Sequence, residues 1–164
     1  MDTQASSESP VDCTVEYLEL LVEVGRQAGL DAVGVAGAEP FTGVRSELER
    51  RRNAGLHGGM QFTYRNPERS TTPAWILPGA RSLVVGALRT AAPRLTEVAP
   101  GRLRIAAYAR HDYYATLREA LGRVARRLEA DGWQARVVAD DNARVDRAAA
   151  VRAGIGWYGK NANV

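Results

Sequence analysis

The run Ser82-Leu-Val-Val-Gly-Ala-Leu88 constrains this chain more than any other stretch. It is continuously apolar and bounded by Gly79 and Pro93, which suits an interior strand covered on both faces, at the centre of a sheet. Such a strand needs helices on each side, and the flanking periodicities supply them. Val15, Leu18, Leu21, Val22 and Ala28 recur at helical spacing before Gly29, predicting a helix over residues 13–28. Asp31-Ala-Val-Gly-Val-Ala36 reads as a short buried strand. A second helix is predicted from Thr42, placed as its cap, to Asn53, with Gly55 as the stop. Its run Glu47, Glu49, Arg50, Arg51, Arg52 has the character of a solvated face.

From Leu56 to Pro78 no period of 2 or 3.6 persists, and Gly58, Gly59, Pro67, Pro73 and Pro78 punctuate the segment. Loops this long in compact domains are often functional. A second loop, Ala91 to Gly101, leads to Tyr108. Tyr114, Leu117, Leu121, Val124 and Leu128 then mark one face of a long helix stopping near Gly132. Gln134 to Ala139 is read as a third strand ending on Asp140 and Asp141, and Arg144 to Ala153 as a last helix before Gly154. The order αβαβαβα predicts a layered α/β (α+β) domain, with helices packed against a sheet.

The 164 residues fit one domain, which at this size buries about 70% of the surface its unfolded chain exposes. The 45% hydrophobic and 25% charged composition is ordinary for a soluble protein, and no apolar run approaches the roughly 20 residues of a membrane span, so no membrane partner is expected. Residues 1–11 carry few apolar groups and predict a disordered tail ahead of a domain over 12–164. The start also lacks the basic and apolar regions of a secretory signal, so a cytoplasmic protein is expected. One cysteine, Cys13, permits no internal disulfide and no cysteine-built metal or iron–sulfur site, and no metal ligands are assigned. The net charge of +3 and pI near 9.3 come almost wholly from arginine, 21 of 22 cations, which favours anionic partners only weakly.

Three clusters could carry chemistry. Asp140 follows the apolar Val137-Val-Ala139, where strand ends in α/β sheets gather ligands and catalytic groups. A partly desolvated carboxyl there could act as a general acid, and Asp140, Asp141 and Asn142 equally suit capping the helix that follows. Gly154-Ile-Gly-Trp-Tyr-Gly-Lys-Asn161 packs glycines, two aromatics and a lysine into eight residues. It fits a ligand loop or a glycine-rich turn that buries Trp157, and it lacks the spacing of a phosphate-binding Walker loop. Tyr108-Ala-Arg-His-Asp-Tyr-Tyr114 is dense in titratable groups at a helix start, where amides favour an anion.

Taken in order, these segments resemble the N-terminal domain of the epoxyqueuosine reductases, cobalamin and iron–sulfur enzymes related to reductive dehalogenases. Ala28-Gly-Leu-Asp-Ala-Val-Gly-Val35 is similar to the family's A-G-F-D-x-V-G-I, and Gly55-Leu-His-Gly-Gly-Met60 to its G-Y-H-G-x-M. Leu77-Pro-Gly-Ala-Arg-Ser82 matches L-P-G-A-R-S, Tyr108-Ala-Arg110 with Asp112-Tyr113 resembles Y-A-x-G-R-D-Y-H, and the segment 154–161 resembles G-x-G-W-x-G-K-N. The resemblance implies a corrinoid-binding domain in an enzyme that reduces the epoxide of epoxyqueuosine in tRNA to queuosine. An external donor would supply electrons through two 4Fe-4S clusters. It implies Asp140 as proton donor and Arg69, Trp157, Gly159, Lys160 and Asn161 as cofactor contacts. Arg110, His111, Asp112 and Tyr114 would lie on the substrate side.

The chain departs from the pattern in places. Tyr114 stands where the family has a histidine after D-Y, and Arg89 where it has an asparagine. Where the family usually has V-D-T-A-P-V-x-E-R, this chain reads Ala139-Asp-Asp-Asn-Ala-Arg-Val-Asp-Arg147. The cysteine-rich motifs that follow G-K-N in the family are absent through Val164, so clusters are expected only in a longer protein. Alternative readings are a non-catalytic corrinoid- or RNA-binding module, and a corrinoid reductase for a small epoxide or halide.

Overall fold

A computed structural model describes residues 15–90, 101, 103, 105–139, 144–160 and 164. The predicted tail, Cys13, most of the 91–101 loop, Asp140, Asp141, Asn142 and Asn161 lie outside the described residues. Helix α1 spans Val15–Gln27 and buries Tyr17, Leu21 and Gly25. It ends as the sequence predicts. Gly29 takes φ +100°, its N–H donates to the Arg26 carbonyl (2.9 Å), and the Leu30 N–H reaches the Gly25 carbonyl (3.0 Å). That pair of bonds satisfies carbonyls the helix leaves open.

Strand β1, Ala32–Gly37, pairs antiparallel with β2, Ser82–Ala87, in the register Ala32 opposite Ala87 through Gly37 opposite Ser82. Glycines let the neighbouring layers approach. A Cβ on Gly86 would come within 2.7 Å of Leu30 and 3.1 Å of Leu121, and one on Gly25 within 2.6 Å of Val33. On the other face, a Cβ on Gly34 would collide with the Ala153 carbonyl. Helix α4, Tyr113–Ala130, therefore shares one face with α1, and α5, Asp146–Arg152, packs on the opposite face. The predicted layering of helices around a sheet is present. The core unites Tyr17, Leu21, Leu30, Ala120 and Val124, with Val33, Val84, Leu117, Leu121, Leu128 and Trp133 packed against it.

Three expectations need correction. The sheet of described residues has two strands, not three, so β2 is not flanked on both edges. Gln134 to Ala139 makes no ladder among the described residues; its apolar Val137, Val138 and Ala139 are only half-buried and line cavities beside β2. Helix α2 does span Thr42–Asn53, but Phe41 is its N-cap and no side chain caps it. Phe41 is buried beneath the Arg152 guanidinium, 3.4 Å from its ring centroid, and that packing fixes the helix entry in place of a hydroxyl. Tyr114, expected on the core face of α4, is 49% exposed; Ala120 fills the buried position.

The aperiodic segment forms short pieces: a 3-10 turn at Phe62–Tyr64, helix α3 at Pro67–Thr71, and a second 3-10 turn at Pro73–Trp75. Asn66 caps α3 by accepting from the Arg69 N–H, and Pro67 sits at the first position, where a missing N–H costs nothing. On α2, Glu47 pairs with Arg50 (2.7 Å) and Arg51 (3.7 Å), as a solvated face should. No helix among the described residues is long and apolar enough to cross a membrane.

Candidate functional site

Arg69 is carried by α3, and three other parts of the chain hold α3 in place. Thr71, fully buried, donates from its hydroxyl to the Pro67 carbonyl (2.8 Å), and its own carbonyl accepts the Phe41 N–H (2.8 Å). Arg45 of α2 donates to the Thr71 and Thr72 hydroxyls at 3.1 and 2.8 Å. From the opposite side, Arg144 Nη1 donates to the Arg69 and Thr72 carbonyls at 3.2 and 2.9 Å. A guanidinium on the last carbonyls of a helix also complements its dipole. This clamp joins α3 to the segment that leads into α5.

Arg69 lines an open cleft of about 770 Å³ together with Trp75, Trp133, Arg136 and Ala139. Ala139, the last described residue before Asp140 in sequence, lines the same cleft as Arg69; Asp140 itself lies outside the described residues. A second cavity of about 330 Å³, more apolar, lies between β2, α4 and α5; Tyr114, Leu121 and Arg144 border it.

The other predicted site residues are placed as follows. Trp157 is 81% and Tyr158 50% exposed, and Gly159 and Lys160 are exposed beside them, so the segment 154–160 presents its aromatics to solvent and does not bury Trp157. Neither cavity includes that segment. Asp112 is the N-cap of α4, accepting the Ala115 N–H at 2.9 Å. Arg110 holds the Ile105 carbonyl through Nε and Nη2 at 3.1 and 3.0 Å, and His111 meets the Tyr113 ring edge-on at 5.8 Å. This cluster thus shapes the helix start. Among the described residues no group of three or more His, Cys, Asp or Glu side chains could hold a metal ion.

Sequence reasoning passed over Arg144, Arg45, Trp75 and Arg136. The first two look like ordinary helix-surface cations; only their long-range bonds reveal them. Trp75 had a usable signal, an aromatic in a proline-punctuated loop of uncommon length.

No protein-family model matches the chain. Curated relatives do, among them several epoxyqueuosine reductases. The chain is 30% identical over 153 residues to that of Bacillus cereus, covering 88% of this chain and 39% of the relative. It is 37% identical over 141 residues to that of Gloeobacter violaceus, covering 84% and 43%, and 30% identical over 168 residues to that of Pseudomonas aeruginosa, covering 96% and 45%. Solved structures agree. A crystal structure of epoxyqueuosine reductase with an epoxyqueuosine-modified tRNA-Tyr stem loop superposes with a TM-score of 0.75 at 28% identity, over 91% of this chain and 41% of that one. A Bacillus subtilis epoxyqueuosine reductase, with its catalytic aspartate loop swung out of the active site, gives 0.68 at 27% identity. The chain spans less than half the length of these proteins. In sequence and in fold it is a homologue of the N-terminal portion of the epoxyqueuosine reductases.

Proposed function

We propose that this chain is the cobalamin-binding portion of a cytoplasmic, cobalamin- and iron–sulfur-dependent oxidoreductase that reduces the epoxide of epoxyqueuosine in tRNA to queuosine. The observation that carries this reading is the shared sequence and fold over about nine-tenths of the chain, extending to a reductase bound to the modified stem loop. Asp140 is assigned as proton donor. Opening an epoxide leaves charge on its oxygen, and a carboxyl at the end of an apolar segment is suited to deliver the neutralising proton. The relative whose catalytic aspartate loop swings out of its active site supports giving that role to an aspartate.

The residues of this chain fit a corrinoid. Trp157 offers an exposed flat face beside Lys160, and Arg69 presents a guanidinium to the cleft; a flat, amide-rimmed and phosphate-bearing ring calls for such groups. When bound, the corrinoid supplies the reducing equivalents at the substrate. Gly159 and Asn161 complete the assigned contacts, with Arg110, His111 and Tyr114 on the substrate side and Asp112 holding the helix there. The chain does not fit an iron–sulfur cluster, because its one cysteine cannot provide a ligand set. The two 4Fe-4S clusters, and the docking of the electron donor, are assigned to the rest of a longer protein.

Titration with cobalamin, read from its visible spectrum, tests the cofactor assignment: saturable binding should weaken at least tenfold in Trp157→Ala and Arg69→Ala. In the longer protein, Asp140→Asn should keep cobalamin binding while queuosine formation falls by about 10²–10⁴-fold, the usual reach of one general acid. Normal queuosine formation by that variant removes Asp140 from the reaction.

A further inference from the structure

Arg69 is exposed, and its five-residue helix α3 cannot hold a shape alone, since isolated helices under about 12–15 residues are marginal in water. Side chains hold both of this residue's backbone groups. Its N–H donates to Asn66 Oδ1 at 3.0 Å. Its carbonyl accepts from Arg144 Nη1 at 3.2 Å, and the same nitrogen reaches the Thr72 carbonyl at 2.9 Å. With the backbone of Arg69 held on two sides, the direction in which its side chain leaves for the cleft is set. Arg144 does this from behind. It borders the apolar cavity of about 330 Å³ and does not line the cleft, whereas Arg69 lines the cleft and not that cavity. The Nε and Nη2 atoms of Arg144 are shielded from solvent, so its guanidinium is packed in place, and a charged donor makes a stronger bond to a carbonyl than a neutral one.

This device belongs to the chain and not to the family pattern. Set position by position on V-D-T-A-P-V-x-E-R, Ala143 takes the place of the proline and Arg144 that of the second valine. A valine has no side-chain donor to offer a carbonyl, and a proline restricts the backbone it sits in. The chain thus gives up a local constraint at one position and gains at the next a tether to a residue 75 positions away. We propose that Arg144 is a positioning residue for the corrinoid site: it fixes the backbone of Arg69, and thereby the guanidinium that Arg69 offers the cofactor. The proposal rests on the corrinoid reading of Arg69 and adds to it a residue that never meets the cofactor itself.

The test is a double-mutant cycle on cobalamin affinity, read from the visible spectrum of the corrinoid, with urea melts of the same four proteins alongside. Arg144→Val should bind cobalamin about three- to tenfold more weakly than the parent, and in the Arg69→Ala background the same change should leave affinity as it was, because residues that act through one another are not additive. The melts should show the same loss of stability in both backgrounds. A purely structural role cannot give that split, since general loosening weakens binding with or without the Arg69 side chain. Arg144→Lys, which keeps a charged donor, should retain most of the affinity. Arg144→Gln, with a neutral donor, should show a smaller loss in the same pattern, and it carries the cycle if circular dichroism finds Arg144→Val unfolded. Arg123→Gln should bind like the parent. Parental affinity in Arg144→Val overturns the proposal, as does an equal loss in both backgrounds, which would make Arg144 a support of the fold alone. The two readings fail separately. A parent that does not bind cobalamin, or an Arg69→Ala that binds like the parent, removes the corrinoid reading of Arg69 and the proposal with it; a weakened Arg69→Ala beside an unaffected Arg144→Val removes the proposal alone.

Discussion

Tyr17 shows how one hydroxyl can link the first helix to the end of the fourth. It donates to Asp131 at 2.9 Å, and Asp131 also accepts from Arg127 Nε at 2.7 Å. Burial, and then the bond to Asp131, push the Tyr17 phenol from its ordinary 10 up to about 12. A pKa raised by folding stabilises the fold fully below the unfolded value and loses that contribution as pH rises through the folded one. The protein should therefore lose stability between about pH 10 and pH 12. Tyr17→Phe should abolish that part of the pH dependence and cost about 1–3 kcal/mol in urea melts at neutral pH, the price of leaving a charged partner short of a bond. Asp131 behaves in the opposite sense: Arg127 and then Tyr17 hold its carboxyl below the usual value, so its contribution is present above about pH 4 and is lost on acidification. Asp131→Asn should flatten the acid limb of a stability-against-pH curve. Neither partner was legible in the sequence, because 114 positions separate them. Asp112, expected on the substrate side from the resemblance alone, is the N-cap of α4 and accepts the Ala115 N–H.

At the scale of elements, α3 depends on cations from two other parts of the chain. Arg144→Val removes both bonds to the Arg69 and Thr72 carbonyls and should destabilise the protein by about 1–3 kcal/mol, with amide exchange rising in residues 69–73 before it rises in α1 or α4. Gly25→Ala should cost about 1–3 kcal/mol, since its Cβ meets Val33 at 2.6 Å and α1 must lift from the sheet. Helices were the most legible elements: α2 falls on its predicted bounds, and α1 and α4 lie close to theirs, because periodicity and glycine stops are local signals. The third strand failed because a ladder needs a partner, and the apolar run Val137, Val138, Ala139 carries no information about one.

At the scale of the molecule, the layered arrangement of helices around the sheet could be read from the order of elements, and the ordered motifs pointed to the reductase family that the relatives bear out. The cleft could not be read, since Trp75, Arg118 and Arg136 meet only after folding. The sheet carries one further consequence, and it concerns synthesis. Its paired positions lie from 45 residues apart, Gly37 with Ser82, to 55 apart, Ala32 with Ala87. At a ribosomal pace of about 5–20 residues per second, β1 waits roughly 3–10 s for its partner to be made. Throughout that interval an apolar strand emerges without its ladder partner, with only α1 before it and α2 and α3 following, and chaperone capture of the nascent chain should concentrate in that window.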